Sequence, residues 1–216
     1  MPADPLPRQL AQLSELLDEM CAAAATALHR ATTALLDRRE RLAHQVVVGD
    51  AAIDGLRARV EEVAIEALLF HAPVASDLRS VVAAIRAAGN VERMGDLALH
   101  VAQVAQHGRV VPLEVCSAFR EMDRLAVAMA HKVAEVARTR NVLLAVELDA
   151  DDDAMDGLHR HMFEVLIDDG WAHGVPVAVD LTLLARYYER FADHAVIVAR
   201  EIVYAVTGKT PDALRM

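Results

Sequence analysis

Pairs of carboxylate side chains recur along this sequence at a spacing of four residues, which places both members of a pair on one face of a helix. The pairs are Asp50 with Asp54, Glu92 with Asp96, Asp152 with Asp156, and Glu189 with Asp193. Carboxylate oxygens suit hard cations such as magnesium, calcium, manganese or iron. The same pattern is typical of a solvated acidic helix face that binds no ion. For any single pair the sequence leaves both interpretations open.

The third and fourth pairs repeat the first and second within an internal duplication of the chain. The residues that match after a shift of 102 positions include Asp50 and Asp152, Asp54-Gly55-Leu56 and Asp156-Gly157-Leu158, and Glu62-Val63 and Glu164-Val165. Those that match after a shift of 97 positions include Glu92-Arg93 and Glu189-Arg190, and Asp96 and Asp193. The sequence therefore predicts two similar units, which we place at 1–109 and 110–216.

Composition and helix-breaking residues predict that each unit is a bundle of three helices. Hydrophobic residues make up 55% of the chain but aromatic residues only 4%, and alanine, the best helix former, is abundant. The predicted helices are Arg8–Leu36, Arg39–Phe70, Val74–His107, Leu113–Thr139, Val142–Asp169 and Val177–Val206. The fold class is thus all-α, with two tandem, pseudo-symmetric three-helix bundles.

The turn at Pro73 brings the first two carboxylate pairs together, because proline disfavours a helical backbone in the preceding residue. At about 1.5 Å per residue, Asp54 and Glu92 reach nearly the same height on antiparallel helices. The turn near Gly174 leaves the other two pairs about one helical turn out of level. Like charges in one layer repel each other unless a cation joins them. We therefore predict a hard divalent cation or an iron cluster in each unit, with tighter binding in the first.

Composition argues against several classes of function. With 22 Lys and Arg against 32 Asp and Glu, the net charge is −10, whereas nucleic acid and anionic membranes require clustered basic residues. Leu97–Gly108, the longest run without Asp, Glu, Lys or Arg, is far shorter than the roughly 20 residues of a membrane-spanning helix. Met1–Pro5 lacks the positive charge of a signal peptide. We therefore expect a cytoplasmic protein with free thiols at Cys21 and Cys116.

The acidic motifs also carry a family resemblance. The stretches Glu92–Asp96 and Glu189–His194, with Pro73–Arg79 upstream of the first, resemble the PhoU family of regulators of bacterial phosphate-specific transport. The stretch Asp153–His161 resembles the actinobacterial branch of that family. Ser76-Asp77, inside the upstream stretch, is equally consistent with the capped start of a helix. The resemblance covers nearly the whole chain.

This resemblance implies a non-enzymatic regulator of phosphate uptake. It implies negative control of the phosphate-specific ABC transporter, with contacts to the transporter ATPase and to the sensor histidine kinase of phosphate-starvation signalling. It further implies a cytoplasmic homodimer that reaches the membrane only through its partners, and paired acidic motifs that hold metal clusters in some members. The chain departs from the family pattern at Asn90 and Arg57, where acidic residues are common, and at Ala192, where the motif has glycine.

Two other classes of function are compatible with a layer of carboxylates between helices. One is a di-iron or other metal-carboxylate oxidoreductase, which normally uses Glu-x-x-His motifs; this chain has none, although Asp156-Gly157-Leu158-His159 comes near. The other is a helical adaptor that binds no ion. Because the ten histidines show no repeated ligand spacing, we expect most of them, including His159 and His161, to be solvated.

Overall fold

The computed structural model describes residues 6–108 and 110–209, and it is helical throughout these ranges except at short connections. Met1–Pro5, where we expect no signal peptide, lies outside the described residues. The helices are α1 (Leu6–Leu36), α2 (Glu40–Gly49), α3 (Ala51–His71), α4 (Ser76–Gln106), α5 (Leu113–Thr139), α6 (Val142–Ile167) and α7 (Gly174–Thr207). No strand occurs in the described ranges, which confirms the all-α class.

The predicted second helix is divided at Asp50, the first residue of the first acidic pair. Asp50 keeps right-handed helical angles (φ −57°, ψ −39°), and its carbonyl accepts a hydrogen bond from the Ile53 N–H at 2.9 Å. The same carbonyl accepts the usual four-residue bond from the Asp54 N–H only at 3.4 Å, so the chain tightens for one turn and continues without a loop. The tightened turn lies at the carboxylate layer.

Four long helices form the centre of the molecule. Helix α1 packs against α4 and α5, α7 packs against α4 and α5, and the outer helices α3 and α6 cover α4 and α7 respectively. Contacts between Arg86 and Glu201 and between His100 and Tyr187 show that α4 and α7 run antiparallel. One continuous hydrophobic core crosses both repeats, so the two units are packed on each other.

The helix boundaries agree with the predicted ones to within a few residues. Helix α7 begins at Gly174, three residues earlier than predicted, because Pro176 is tolerated in a first turn whose N–H groups have no acceptor within the helix. Helix α4 begins two residues late, at Ser76, after Ala75 adopts a positive φ of 49°. Ser76 and Asp77 do open this helix, but no side chain caps it.

Apolar residues of α7 recur at intervals of three and four, and this stripe is buried except at its last member, Val206. The buried members are Leu181, Leu184, Ala185, Tyr188, Ala192, Ala195, Ala199 and Ile202. Val206 is 38% exposed at the end of the helix. Cys21 is buried in α1 and Cys116 is half-buried in α5, and both are free thiols. Over the described residues, no helix is long and apolar enough to cross a bilayer.

Candidate metal centre

The first carboxylate layer lies between α3 and α4. Asp50 is half-buried, and the negative charges that act on it come from Asp54, Asp96 and Glu92. Burial first, and then these neighbours, raise the pKa of Asp50, while His100 opposes the shift. The structure therefore brings together the four residues that the turn at Pro73 predicts to share a layer.

Close packing of the two helices permits this arrangement. Gly95 of α4 faces α3, and a Cβ atom on residue 95 would lie 2.9 Å from Ile53 Cδ1 and 3.5 Å from Asp50 Oδ1. A side chain at this position would therefore push the helices apart or displace Ile53. The glycine of the first motif thus has a packing role beside the carboxylates.

Arginine side chains already engage the carboxylates of the first layer. Arg57 Nη1 lies 3.3 Å from Glu92 Oε1, which links α3 to α4, and Arg57 Nε donates to Glu61 Oε1 at 3.1 Å. On the other side, Arg93 Nη1 donates to Asp96 Oδ2 at 2.8 Å. Positive charge is therefore built into this layer by the chain itself.

The second layer joins α6 and α7 and contains the other four predicted residues. The pKa of Asp152 is raised to about 6 by burial first, then by the charges of Asp193 and Asp156, against the opposing charge of Arg200. The pKa of Glu189 is raised by burial, with Asp193 and Asp156 adding to the shift and Arg186 opposing it. The one-turn offset predicted from the sequence therefore does not separate these carboxylates.

Buried oxygen atoms without partners distinguish the second layer from the first. Glu189 is only 7% exposed; its Oε1 accepts from Arg186, but its Oε2 has no hydrogen-bond partner. Asp152 Oδ1 is also buried without a partner. Unpaired buried oxygens are costly, and a bound cation is one way to satisfy them.

His159 corrects the expectation that the histidine pair of α6 is solvated. Its Nε2 atom is buried without a hydrogen-bond partner, and its ring packs edge-on against Phe163 at a centroid distance of 5.0 Å. Burial first, and then Arg186, lower the pKa of His159, while Asp156 opposes the shift. His161 is exposed, as expected.

The second layer offers carboxylate oxygens, but its side chains are not gathered around one point. Among residues 6–108 and 110–209, no three His, Cys, Asp or Glu side chains converge as ligands of a single ion. Asp152 and Glu189 nevertheless offer buried, unpaired oxygens, and Asp156 and Asp193 supply further carboxylates close by. Uptake of an ion therefore requires these side chains to turn inward.

A buried polar cluster in the core was not predicted from the sequence. Asp123 of α5 is buried; its Oδ2 lies 2.8 Å from His29 Nδ1, and its Oδ1 accepts from Thr32 at 3.0 Å. The Thr32 hydroxyl also lies 2.7 Å from the Tyr188 hydroxyl. These bonds tie α5 and α7 to α1. The available signal was an acidic residue in the apolar stripe of α5, between Phe119 and Ala126.

The sequence of this chain is similar to a known family of proteins. A model of the PhoU domain matches residues 17–105 and 119–202. The chain is 48% identical over 206 residues to phosphate-specific transport system accessory protein PhoU homolog 2 of Mycobacterium tuberculosis, covering 94% of this chain and 97% of that protein. It is 48% identical over 207 residues to PhoU homolog 1 of Mycobacterium leprae, covering 94% and 93% respectively.

Two solved structures share the fold. PhoU from Pseudomonas aeruginosa superposes with a TM-score of 0.80 at 22% identity, over 94% of this chain and 99% of that one. The phosphate transport system regulatory protein PhoU from Streptococcus pneumoniae gives a TM-score of 0.84 at 20% identity, over 95% and 98%. Since the two domain matches also span most of the sequence, the chain belongs to the PhoU domain family.

Proposed function

We propose that this protein regulates phosphate uptake as an accessory component of a phosphate-specific transport system. The observation that carries the proposal is the 48% identity, over 94% of the chain, to a mycobacterial protein named as such an accessory component. A match of this extent spans both repeats, so the proposal applies to the whole chain and not to one bundle.

The regulator acts through contacts with other proteins and not through catalysis. The comparisons give no support to the alternative of a metal-carboxylate oxidoreductase, because the relatives are named as accessory proteins of transport. The sequence also lacks the Glu-x-x-His motifs of that class. The buried cluster at Asp123 has a structural role, since its bonds join three helices of the core.

The partners that follow from this role are the ATPase of the phosphate ABC transporter and the phosphate sensor histidine kinase. We place the protein in the cytoplasm as a homodimer that reaches the membrane only through these partners. A pull-down with the intact chain from cells grown in excess phosphate tests this part of the proposal. Recovery of the ATPase and the kinase supports it, and recovery of neither overturns it.

A divalent cation or metal cluster is proposed to crosslink the helices at the carboxylate layers. The predicted ligands are Asp50, Asp54, Glu92 and Asp96 in the first layer, and Asp152, Asp156, Glu189 and Asp193 in the second. The ion would join the two helices of each layer, and the carboxylates would hold it in place. Arginines pair with carboxylates in both layers, but only in the second do Asp152 and Glu189 keep buried oxygens without partners, so these oxygens favour the second layer.

A further inference from the structure

We infer that the exposed side of α3 binds the same side of α3 in a second copy of this chain, with the two helices antiparallel. The inference rests on the homodimer part of the proposed function, and it names the surface that forms the dimer. Helix α3 packs against α1 and α4 within its own chain, so its remaining side is available to a partner.

This side of α3 carries an apolar stripe at the spacing of a heptad repeat, which we call the α3 stripe. Its exposed residues recur at alternating intervals of four and three: Ala51, Gly55, Ala58, Glu62, Ile65 and Leu69. Val48, near the end of α2, extends the stripe by one step. Val48, Ile65 and Leu69 are 64%, 52% and 72% exposed. Exposed apolar residues at this spacing are typical of a helix that packs on another helix.

The last third of α3 is apolar on both of its sides. Within residues 63–70, Glu66 is the only polar residue. Val63, Ala64 and Ala67 are buried against the chain itself, whereas the side chains on the other side of the helix remain exposed. A helix that is hydrophobic all round is normally covered on all sides. The α3 stripe therefore lacks a cover that the described part of this chain does not supply.

The α3 stripe is complementary to itself when two copies run antiparallel. Heptad pairing then sets Gly55 opposite Ala58 of the second copy. The next layers set Ala51 opposite Glu62, and Val48 opposite Ile65. The smallest side chains thus meet at the centre, where crossing helices approach most closely, and larger ones fill the wider space toward the ends. Because each layer occurs twice, the contact has the two-fold symmetry of a homodimer.

Charges at the two ends of the α3 stripe are opposite in sign. Arg41 and His44 lie at the α2 end, and Glu62 and Glu66 lie toward the other end; all four are exposed. Among the described residues, none of the four forms an ion pair within its own chain. Antiparallel pairing brings His44 beside Glu66 of the second copy, whereas parallel pairing would set like charges side by side. This charge complementarity identifies a second copy as the partner.

The matching side of α6 in the second repeat does not form such a stripe. After the shift of 102 positions, Ala51 corresponds to Asp153 and Ala58 to Arg160, and both charged residues are exposed. Buried at a helix contact, these charges would have to lose their hydration. The chain therefore presents one self-complementary helix and not two, so the assembly closes as a dimer.

A matched pair of substitutions tests the surface. Sedimentation velocity of the intact wild-type chain should show a dimer. Ile65→Arg should raise the dimer Kd by about 100-fold or more, because the symmetric contact takes up the charge twice. Ile167→Arg makes the same change at the matching exposed position of the second repeat and should leave the Kd unchanged. Both variants should keep the helical circular dichroism, since both side chains are exposed in the single chain.

Cysteine cross-linking tests the antiparallel orientation. Val48→Cys with Ile65→Cys in one chain should give disulfide-linked dimers under mild oxidation, because the two positions meet between copies. They cannot meet within one chain, where 17 helical residues separate them by about 25 Å. Neither single variant should cross-link, although in a parallel pair each of them would. The wild type, which has Cys21 and Cys116, is oxidised in the same way as the control.

Three results would overturn the inference: a monomeric wild type, a dimer that persists in Ile65→Arg, or cross-linking by the single variants alone. A persistent dimer would keep the proposed homodimer but place its contact on another surface. A monomer would remove the homodimer too and leave the α3 stripe to a helix of another protein. Neither outcome changes the proposed regulation of phosphate uptake, which is measured in cells.

Discussion

Gly95 of α4 lies so close to Ile53 of α3 that a Cβ atom on residue 95 would come within 2.9 Å of the Ile53 side chain. The matching positions of the second repeat are Ala192 and Met155, and both are fully buried. Isoleucine is branched at Cβ and stiff, whereas methionine is unbranched and adapts its shape to a neighbour. In the second repeat, alanine in place of glycine on one helix is therefore accompanied by the more adaptable methionine in place of isoleucine on the other.

Gly95→Ala should destabilise the protein, because the added methyl meets buried Ile53. We expect a loss of about 1–2 kcal/mol in the free energy of unfolding, within the range for overpacked cores. Gly89→Ala on the same helix meets no atom within 4 Å and should instead stabilise by about 0.5–1 kcal/mol. Chemical denaturation measures both. Ile53→Met in the Gly95→Ala background should recover stability, and equal gains from both alanines would contradict the close contact.

Thr32→Val tests the buried cluster around Asp123. The substitution keeps the shape of the side chain but removes the hydroxyl that serves both Asp123 and Tyr188. Because Asp123 Oδ1 and the Tyr188 hydroxyl then each lose a hydrogen bond in the core, stability should fall by about 1–3 kcal/mol. Thr26→Val, at an exposed site of α1 where the hydroxyl bonds only the Ala22 carbonyl, is the matched control and should change little. Equal thermal melting of the two variants would show that the cluster adds no stability.

Ala195→Leu tests the small-residue packing of α7. Ala195 is fully buried in the core, so the larger side chain should overpack it by about 1–3 kcal/mol. For a chain of this size the melting temperature should fall by about 2–4 °C for each kcal/mol. Ala22→Leu, on the exposed face of α1, should leave it nearly unchanged. A melting temperature unaffected by Ala195→Leu would contradict the packing described for this helix.

The pH dependence of stability should report on Asp152. Since burial and its acidic neighbours raise the pKa of Asp152 from 3.8 to about 6, the folded chain binds a proton more tightly than the unfolded chain does. Metal-free stability at this site is therefore highest in acid and falls as pH rises from about 4 to 6. Asp152→Asn should remove this loss. The melting temperature of the variant should therefore exceed that of the wild type at pH 7 and equal it near pH 4. Exposed Asp153→Asn is the control, and a melting difference independent of pH would be the contrary result.

The fold could be predicted from the sequence to a large extent, because its signals are local. Pro73 ends the second predicted helix near Phe70, and α5 begins at Leu113, directly after Pro112. The turn at Pro73 also predicts the first carboxylate layer, since helix rise and spacing fix the height of its residues. The duplication extends this prediction to the second layer, although the turn near Gly174 predicts an offset of about one helical turn there. The division at Asp50 was not predicted, because a single tightened turn leaves the apolar pattern unchanged.

The pairing of individual atoms could not be predicted in the same way. Asp123 is satisfied by residues 94 and 91 positions away in the sequence, so its partners depend on how α1 and α5 pack. Arg57 differs from the family pattern in the sequence, but its contact with Glu92 appears only in the folded chain. The burial of the His159 ring nitrogen likewise depends on the position of α7.

The most direct test of the proposed function is the rate of radiolabelled phosphate uptake in cells that lack this protein, grown in excess phosphate. If the protein is a negative regulator, uptake should stay high in the deletion strain and phosphate-starvation genes should be active. Uptake should return to a low rate when the intact chain is restored. Any second PhoU-family protein of the cell must be deleted in the same strain, so that it cannot compensate. Low uptake and silent starvation genes in that strain would contradict the regulatory role.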